Sequence, residues 1–299
     1  MIRNILLTLT LLIASTSYSF DLTKEPVQVI IPFSPGGGVD ATYKSIMNYA
    51  NKQNIKLVPM YRPGAEGLIG MNELSKSKND GYTIGLVTTG NIAIYRMKNK
   101  TDNIKPVMGV RNAPVAVVVN ANSSIKTLAD YENAIKTDSK FSFGFAAPAQ
   151  RMYFTQLTEL MKVKNEPTMI PYKGGSNVIT DLLGGHITSA ILPYNIISSH
   201  ADAGTLRIVA INSSSVPANS PNAKLLQKQY SHWEDFDWYC LVMPPDINPE
   251  ITKAWVAFIN QYLSDPATLD EFKRDNIELV SRDPQKAEET VKTFITKSY

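Results

Sequence analysis

Along the chain, short apolar runs alternate with stretches whose apolar residues recur at helical spacing, the pattern of a parallel α/β architecture. Val27–Ile31 reads as a strand that stops at Pro32, and the stretch Asp40–Lys52 carries Ile46, Met47 and Ala50 at helical positions. The alternation continues with strand Lys56–Val58, helix Gly67–Lys76, strand Tyr82–Val87 and the run Val115–Val119. It then gives helix Leu128–Lys136, strand Phe141–Gly144, helix Met152–Met161, helix Asn177–Leu183, strand Ser189–Leu192, helix Ile196–Ala203 and strand Leu206–Ile211. Asn212–Asn222 is rich in Ser, Pro and Asn, which predicts an exposed loop close to a crossing between domains. Helices predicted at Glu250–Leu263, Pro266–Asp275 and Pro284–Lys297 come with too few strands to form a domain, so they are expected to pack back on the N-terminal half.

The N-terminus departs from this alternation. Arg3 precedes the apolar run Ile5–Ala14 and the small polar stretch Ser15–Ser19, the layout of a secretory signal peptide. The run falls short of the roughly 20 residues that cross a bilayer as a helix. Cleavage is expected near Ser19–Phe20.

Length and composition change the picture in two ways. About 280 residues remain after cleavage, more than one hydrophobic core usually supports, so two domains are expected. The formal charge of +3 is spread without a basic cluster, which argues against a nucleic-acid partner. Cys240 is the only cysteine and sits in the apolar run Trp238–Met243, the setting of a buried structural thiol. His186, His200 and His232 form no metal-ligand spacing, and neither a metal nor a cofactor is expected. No G-x-S-x-G elbow occurs, and the acidic pairs Asp235/Asp237 and Glu288/Glu289 read as solvated faces or caps, so an enzyme is not expected. Trp233, Phe236, Trp238 and Tyr239 read as core or hinge packing.

Candidate chemistry lies in glycine-punctuated loops between strands and helices. In Pro32–Asp40, three consecutive glycines let several backbone N–H groups converge at a helix N-terminus, where a carboxylate or phosphate can be held without a basic side chain. A plain tight turn capped by Asp40 fits the same residues. Tyr61–Gly70, Ala146–Gln150 and Pro171–Ser176 repeat the arrangement, as ligand sites beyond the carboxyl ends of parallel strands require. Arg62 and Arg151 fit either a second carboxylate or surface ion pairs.

These loops carry a resemblance. Pro32-Phe33-x-x-Gly36-Gly37-Gly38-x-Asp40, Arg62–Ala65, Asp80–Thr83, Pro171–Gly175, Thr180–Gly185 and Ala203–Arg207 occur in an order similar to that of the Bug family, solute-binding proteins of tripartite tricarboxylate transporters. The resemblance implies a type-2 periplasmic-binding-protein fold, α/β, with two lobes and a ligand cleft that closes by hinge motion. It implies lobe 1 at 20–119 plus 234–299 and lobe 2 at 120–233. It also implies a small carboxylate ligand held by the first two loops, at Phe33, Gly36, Gly37, Gly38 and Asp40, and at Ala65, Gly67 and Leu68. Asp40 is expected to act as a cap rather than as a contact. Thr88, Ala146, Ala147, Gln150, Tyr172, Gly174, Gly175, Leu192 and Tyr194 complete the expected site. A periplasmic monomer is implied, serving membrane transporter subunits or, alternatively, a sensor kinase.

Departures from the family pattern bear on the ligand. Phe145–Arg151 offers few hydroxyl donors, and the two acids that relatives carry between Gly185 and Leu192 are replaced by Thr188 and Leu192. That replacement predicts a carboxylate lacking an amino group, with its apolar or aromatic body near Leu192 and Tyr194.

Overall fold

The computed structural model describes residues 20–112, 114–233, 235, 237–277 and 279–297. The predicted signal peptide and Phe236 lie outside the described residues.

The chain begins with β1 (Val27–Ile31), α1 (Gly38–Lys52), β2 (Leu57–Tyr61), a short 3-10 turn at Ala65–Gly67 and α2 (Leu68–Leu74). β3 (Thr83–Thr88), α3 (Thr89–Asn99) and β4 (Pro106–Arg111) follow, after which the chain leaves for a second sheet. There it forms β5 (Val115–Asn120), α4 (Leu128–Thr137), β6 (Ser142–Phe145), α5 (Pro148–Leu160), β7 (Thr168–Pro171), α6 (Gly175–Leu183), β8 (Ser189–Pro193), α7 (Tyr194–Asp202) and β9 (Leu206–Asn212). β10 (Lys224–Leu225) and α8 (Leu226–Gln229) close that half. β11 (Tyr239–Val242), α9 (Pro249–Tyr262), α10 (Pro266–Arg274) and α11 (Pro284–Lys297) return to the first.

The first sheet has the order β2-β1-β3-β11-β4 and the second β10-β9-β5-β8-β6-β7. β1 pairs parallel with β2 and β3, and β6 pairs parallel with β7 and β8. The strand that follows each crossing enters its new sheet antiparallel: β5 between β8 and β9, β11 between β3 and β4. Each lobe therefore owes one central strand to a segment arriving from the other. This corrects the expected boundary at 119, because Val115–Val119 belong wholly to the second sheet.

Hydrophobic patterning places the helices. One apolar layer covers a face of each sheet, running from Val87 and Ile92 through Val117 and Phe143 to Val291 and Phe294. The opposite faces are covered separately, by a layer around Trp255, Phe258 and Tyr262 on the first sheet and by one around Val178, Leu182 and Ile197 on the second. α9 and α11 thus pack on the first lobe, as the shortage of C-terminal strands predicts. Arg96 of α3, almost fully buried, grips Glu288 of α11 with two bonds of 2.7 and 2.9 Å. Glu288 is thus no solvated face, whereas Glu289 pairs with exposed Lys286. The polar loop 213–223 stays inside the second lobe, between β9 and β10, and not at a crossing. Cys240 is fully buried, and burial pushes its thiol pKa far up, as a structural residue requires.

Candidate functional site

The carboxyl ends of β1, β3, β6, β7 and β8 face one another across the gap between the sheets, and a helix starts after each of them. Between the lobes lies a narrow crevice, part of it open to solvent. Gly37, Gly38 and Val39 at the start of α1, Thr88 at the start of α3, Ala146 and Ala147 before α5, Gly175 at the start of α6 and Pro193 before α7 all line it. Several helix dipoles therefore point their positive ends into one space. Among the described residues, no Lys, Arg or His side chain lines it.

The first loop is shaped by Asp40, which is buried. Its carboxylate accepts from the Gly36 N–H at 2.8 Å and the Tyr61 hydroxyl at 2.6 Å, and pairs with Lys44 at 2.8 Å. Burial alone would raise its pKa, but Lys44, Tyr61 and Gly36 outweigh that and hold it below the usual carboxylate range. Asp40 is thus an internal clamp. It turns the loop so that the N–H groups of Gly37, Gly38 and Val39 find no acceptor among the described residues. Gly38 admits no side chain, since a Cβ there would lie 2.2 Å from the Tyr239 hydroxyl and 3.0 Å from Pro193.

The second loop lies beside this crevice. Gly64, Ala65, Glu66 and Gly67 line an adjoining cavity with Tyr172, and the two spaces share Ala146. Leu68 lies on an outer groove with Glu66 and Arg151. Ala65 and Glu66 adopt left-handed backbone angles, an unusual strain for residues with side chains. Asn91 holds that turn by donating to the Glu66 carbonyl at 3.0 Å, while its own carbonyl accepts from the Thr88 N–H. Thr88 in turn caps α3.

On the facing lobe, the Gln150 amide oxygen accepts from the N–H groups of Ala146 and Ala147 at 2.7 and 3.2 Å. The backbone donors of that loop are therefore occupied. Gln150, only 6% exposed, lines the crevice, and its amide nitrogen has no acceptor among the described residues.

The first and fourth loops touch across the gap. The Ser34 N–H donates to the Lys173 carbonyl at 3.0 Å and the Ser176 hydroxyl to the Pro35 carbonyl at 2.8 Å. A Cβ on Gly174 would meet Ser34 at 2.8 Å, so this approach depends on glycine. Arg151 reaches Glu66 across the lobes at 3.7 Å, and Arg62 binds Glu73 at 2.6 Å, so both arginines are ion-pair partners. The lobes are closed on each other.

Two expected contacts lie elsewhere. Leu192 is fully buried in the second-lobe core, behind Gly175, and Tyr194 donates its hydroxyl to Asn219 at 3.1 Å. The argument from Leu192 against an amino-bearing ligand therefore loses its footing. Phe33, Val39, Val115, Pro193 and Ile196 supply the apolar wall instead. Tyr172 donates to Asp181, and burial and that carboxylate push its pKa up to about 12.

Besides that apolar wall, three polar lining residues lie outside the expected site. Tyr239 and Asp237 had been read only as packing and as a solvated acid, and Tyr153 had been read only as helix. Burial raises the Tyr239 pKa and keeps its hydroxyl a donor. Arg111, fully buried beneath Gly38, donates from Nε to the Thr42 hydroxyl at 2.7 Å and from Nη2 to the Gly38 carbonyl at 3.5 Å, and its Nη1 has no partner among the described residues. Among the described residues, no group of His, Cys, Asp and Glu is placed to hold a metal, and no helix is long and apolar enough to cross a membrane.

Comparison with known proteins agrees with this architecture. The sequence profile of the tripartite tricarboxylate transporter family receptor, TctC, matches residues 47–298. Protein BugT of Bordetella pertussis is 28% identical over 262 residues, spanning 83% of this chain and 79% of BugT. The periplasmic binding protein BugD superposes with a TM-score of 0.83 at 20% identity, covering 92% of this chain and 95% of its own. R. palustris Rpa4515, solved with adipate, gives a TM-score of 0.83 at 20% identity, over 93% of this chain and 96% of its own.

Proposed function

This chain belongs to the tripartite tricarboxylate transporter receptor family, and from that membership we propose that it captures a small carboxylate between its lobes and delivers it to membrane transporter subunits. One observation carries the reading. Residues with unpaired backbone amides at the starts of α1 and α6 line an interlobe crevice together with Gln150, and no basic side chain lines it among the described residues. Such donors suit an acid group, because they offer positive ends of dipoles without the rival carboxylate that a lysine or arginine would attract. The adipate carried by the relative Rpa4515 supports the same ligand class.

The apolar wall asks for a ligand with a hydrocarbon or aromatic body beside its acid group. Binding ends in capture, not turnover: the crevice residues offer a grip without an activated nucleophile. The leader at residues 1–19 fits export to the periplasm with cleavage near Ser19–Phe20, and a monomer suffices, since both lobes come from one chain.

A thermal-shift screen of mono-, di- and tricarboxylates, aromatic acids included, tests this. An acid at a hundredfold excess over its Kd should stabilise the protein by about 2.7 kcal/mol. A flat response to every acid, with stabilisation by neutral or cationic solutes, would defeat it.

A further inference from the structure

Asp237 puts a carboxyl group where an anion is expected to bind. It lines the crevice with the α1 amides and Gln150, and it is the one acidic side chain there among the described residues. Its position is fixed from the α3 side, where Oδ1 accepts from the Thr89 hydroxyl at 3.3 Å and the Gly90 N–H at 3.4 Å. The Trp238 N–H, bonded to Thr89 at 3.1 Å, holds the segment against that helix start. With a further bond from the Thr88 side chain, these still leave acceptor capacity on a group that can take about four.

The charged and titratable groups around it do not neutralise it. Asp235, two residues earlier, is a like charge held by Asn112 and by the Tyr153 hydroxyl of α5. Tyr239 and buried Cys240 follow it on β11, and both have raised pKa values. Arg111 lies behind the Tyr239 ring, 5.8 Å from its centre, and Asp40 on α1 is committed to Lys44 and Tyr61. Burial, followed by the charge of Asp235, pushes the Asp237 carboxyl up to about 7. An acid without a cation, in a space that otherwise offers donors, needs a proton from somewhere.

We propose that Asp237 is the specificity-determining residue of this crevice, accepting a hydrogen bond from a donor group on the ligand, a hydroxyl or an ammonium, while the amides of α1 and α6 hold the ligand's carboxylate. The inference rests on the carboxylate reading. It adds that a bare diacid, lacking such a donor, binds only together with a proton shared with Asp237.

The test uses four- and six-carbon sets: the unsubstituted acid, its terminal hydroxy and amino derivatives, and the diacids succinate and adipate. Calorimetry should show the hydroxy or amino acid binding about tenfold or more tighter than the unsubstituted acid of the same length. Diacid affinity should fall by about tenfold per pH unit above pH 7, with proton uptake visible as a buffer-dependent heat. In Asp237→Asn the preference for the amino acid should vanish and the diacid should gain about tenfold at pH 8. The wild-type series decides the matter alone if that variant does not fold. Acids that bind with no donor preference and no pH dependence overturn this assignment and leave the carboxylate reading standing. Failure of every acid in both sets overturns both.

Discussion

At the scale of single residues, Asp40 shows how an acid can build an anion site without opposing it. Its charge is spent on Gly36, Tyr61 and Lys44, so what faces the crevice is the set of N–H groups it has positioned. Its depressed pKa makes it a stabiliser with a defined window. The contribution is present above the unfolded pKa of about 4 and is lost as pH falls through the lower folded value. Asp40→Asn should therefore cost about 2 kcal/mol at pH 7, the worth of hydrogen bonds to a charged group. In thermal unfolding, that gap to wild type should hold from pH 8 to 5 and narrow below pH 4; a gap independent of pH down to 2 would contradict the clamp. The sequence marks Asp40 as a cap, but α1 has Gly37 in its cap position without a side-chain bond, and Asp40, inside the first turn, clamps Gly36 instead. The place of Leu192 was not legible in the sequence, because a gapless match fixes a position along β8 but not which sheet face it occupies, and here it faces the core.

At the scale of elements, most strands and helices were readable, but α3, β4, β7 and β11 were not. β4 and β7 lie at the edges of their sheets and carry Pro106, Gly109 and Pro171, which interrupt any strand signal. α5 begins at Pro148, four residues before the apolar spacing announces it, since proline fits a first helical turn. β5 was seen as a strand but assigned to the wrong lobe; its pairing with β8 and β9 spans long separations that no local pattern encodes. The terminal α11 matches its predicted span and is tied down by Arg96–Glu288. Glu288→Ala should remove both bonds to the guanidinium and lower stability by about 2 kcal/mol. Urea unfolding that gave the variant and wild type the same midpoint would show that α11 is held by its apolar face alone.

Across the whole molecule, two sheets exchange one strand each, and the starts of helices from both meet in the space between. The lobes touch through their glycine-bearing loops, at Ser34–Lys173 and Pro35–Ser176, a contact that a hinge can make and break. Direct bonds of this kind are each worth only about 1 kcal/mol net, so a bridging ligand can decide whether the closed arrangement persists. That such loops would occur at strand ends was legible from glycine spacing. That Asp237, Tyr239 and Arg111 would join them was not, because they arrive from β4, β11 and the returning segment, remote in sequence from every glycine loop. The central claim is that backbone amides hold the ligand's acid group. It is tested most directly by following amide resonances of ¹⁵N-labelled protein as adipate, or whichever acid stabilises it most, is added. The amides of Gly37, Gly38, Val39, Gly175 and Ser176 should move downfield together and saturate with the same Kd; saturating binding that leaves those five unmoved while lysine or arginine side-chain signals shift would contradict it.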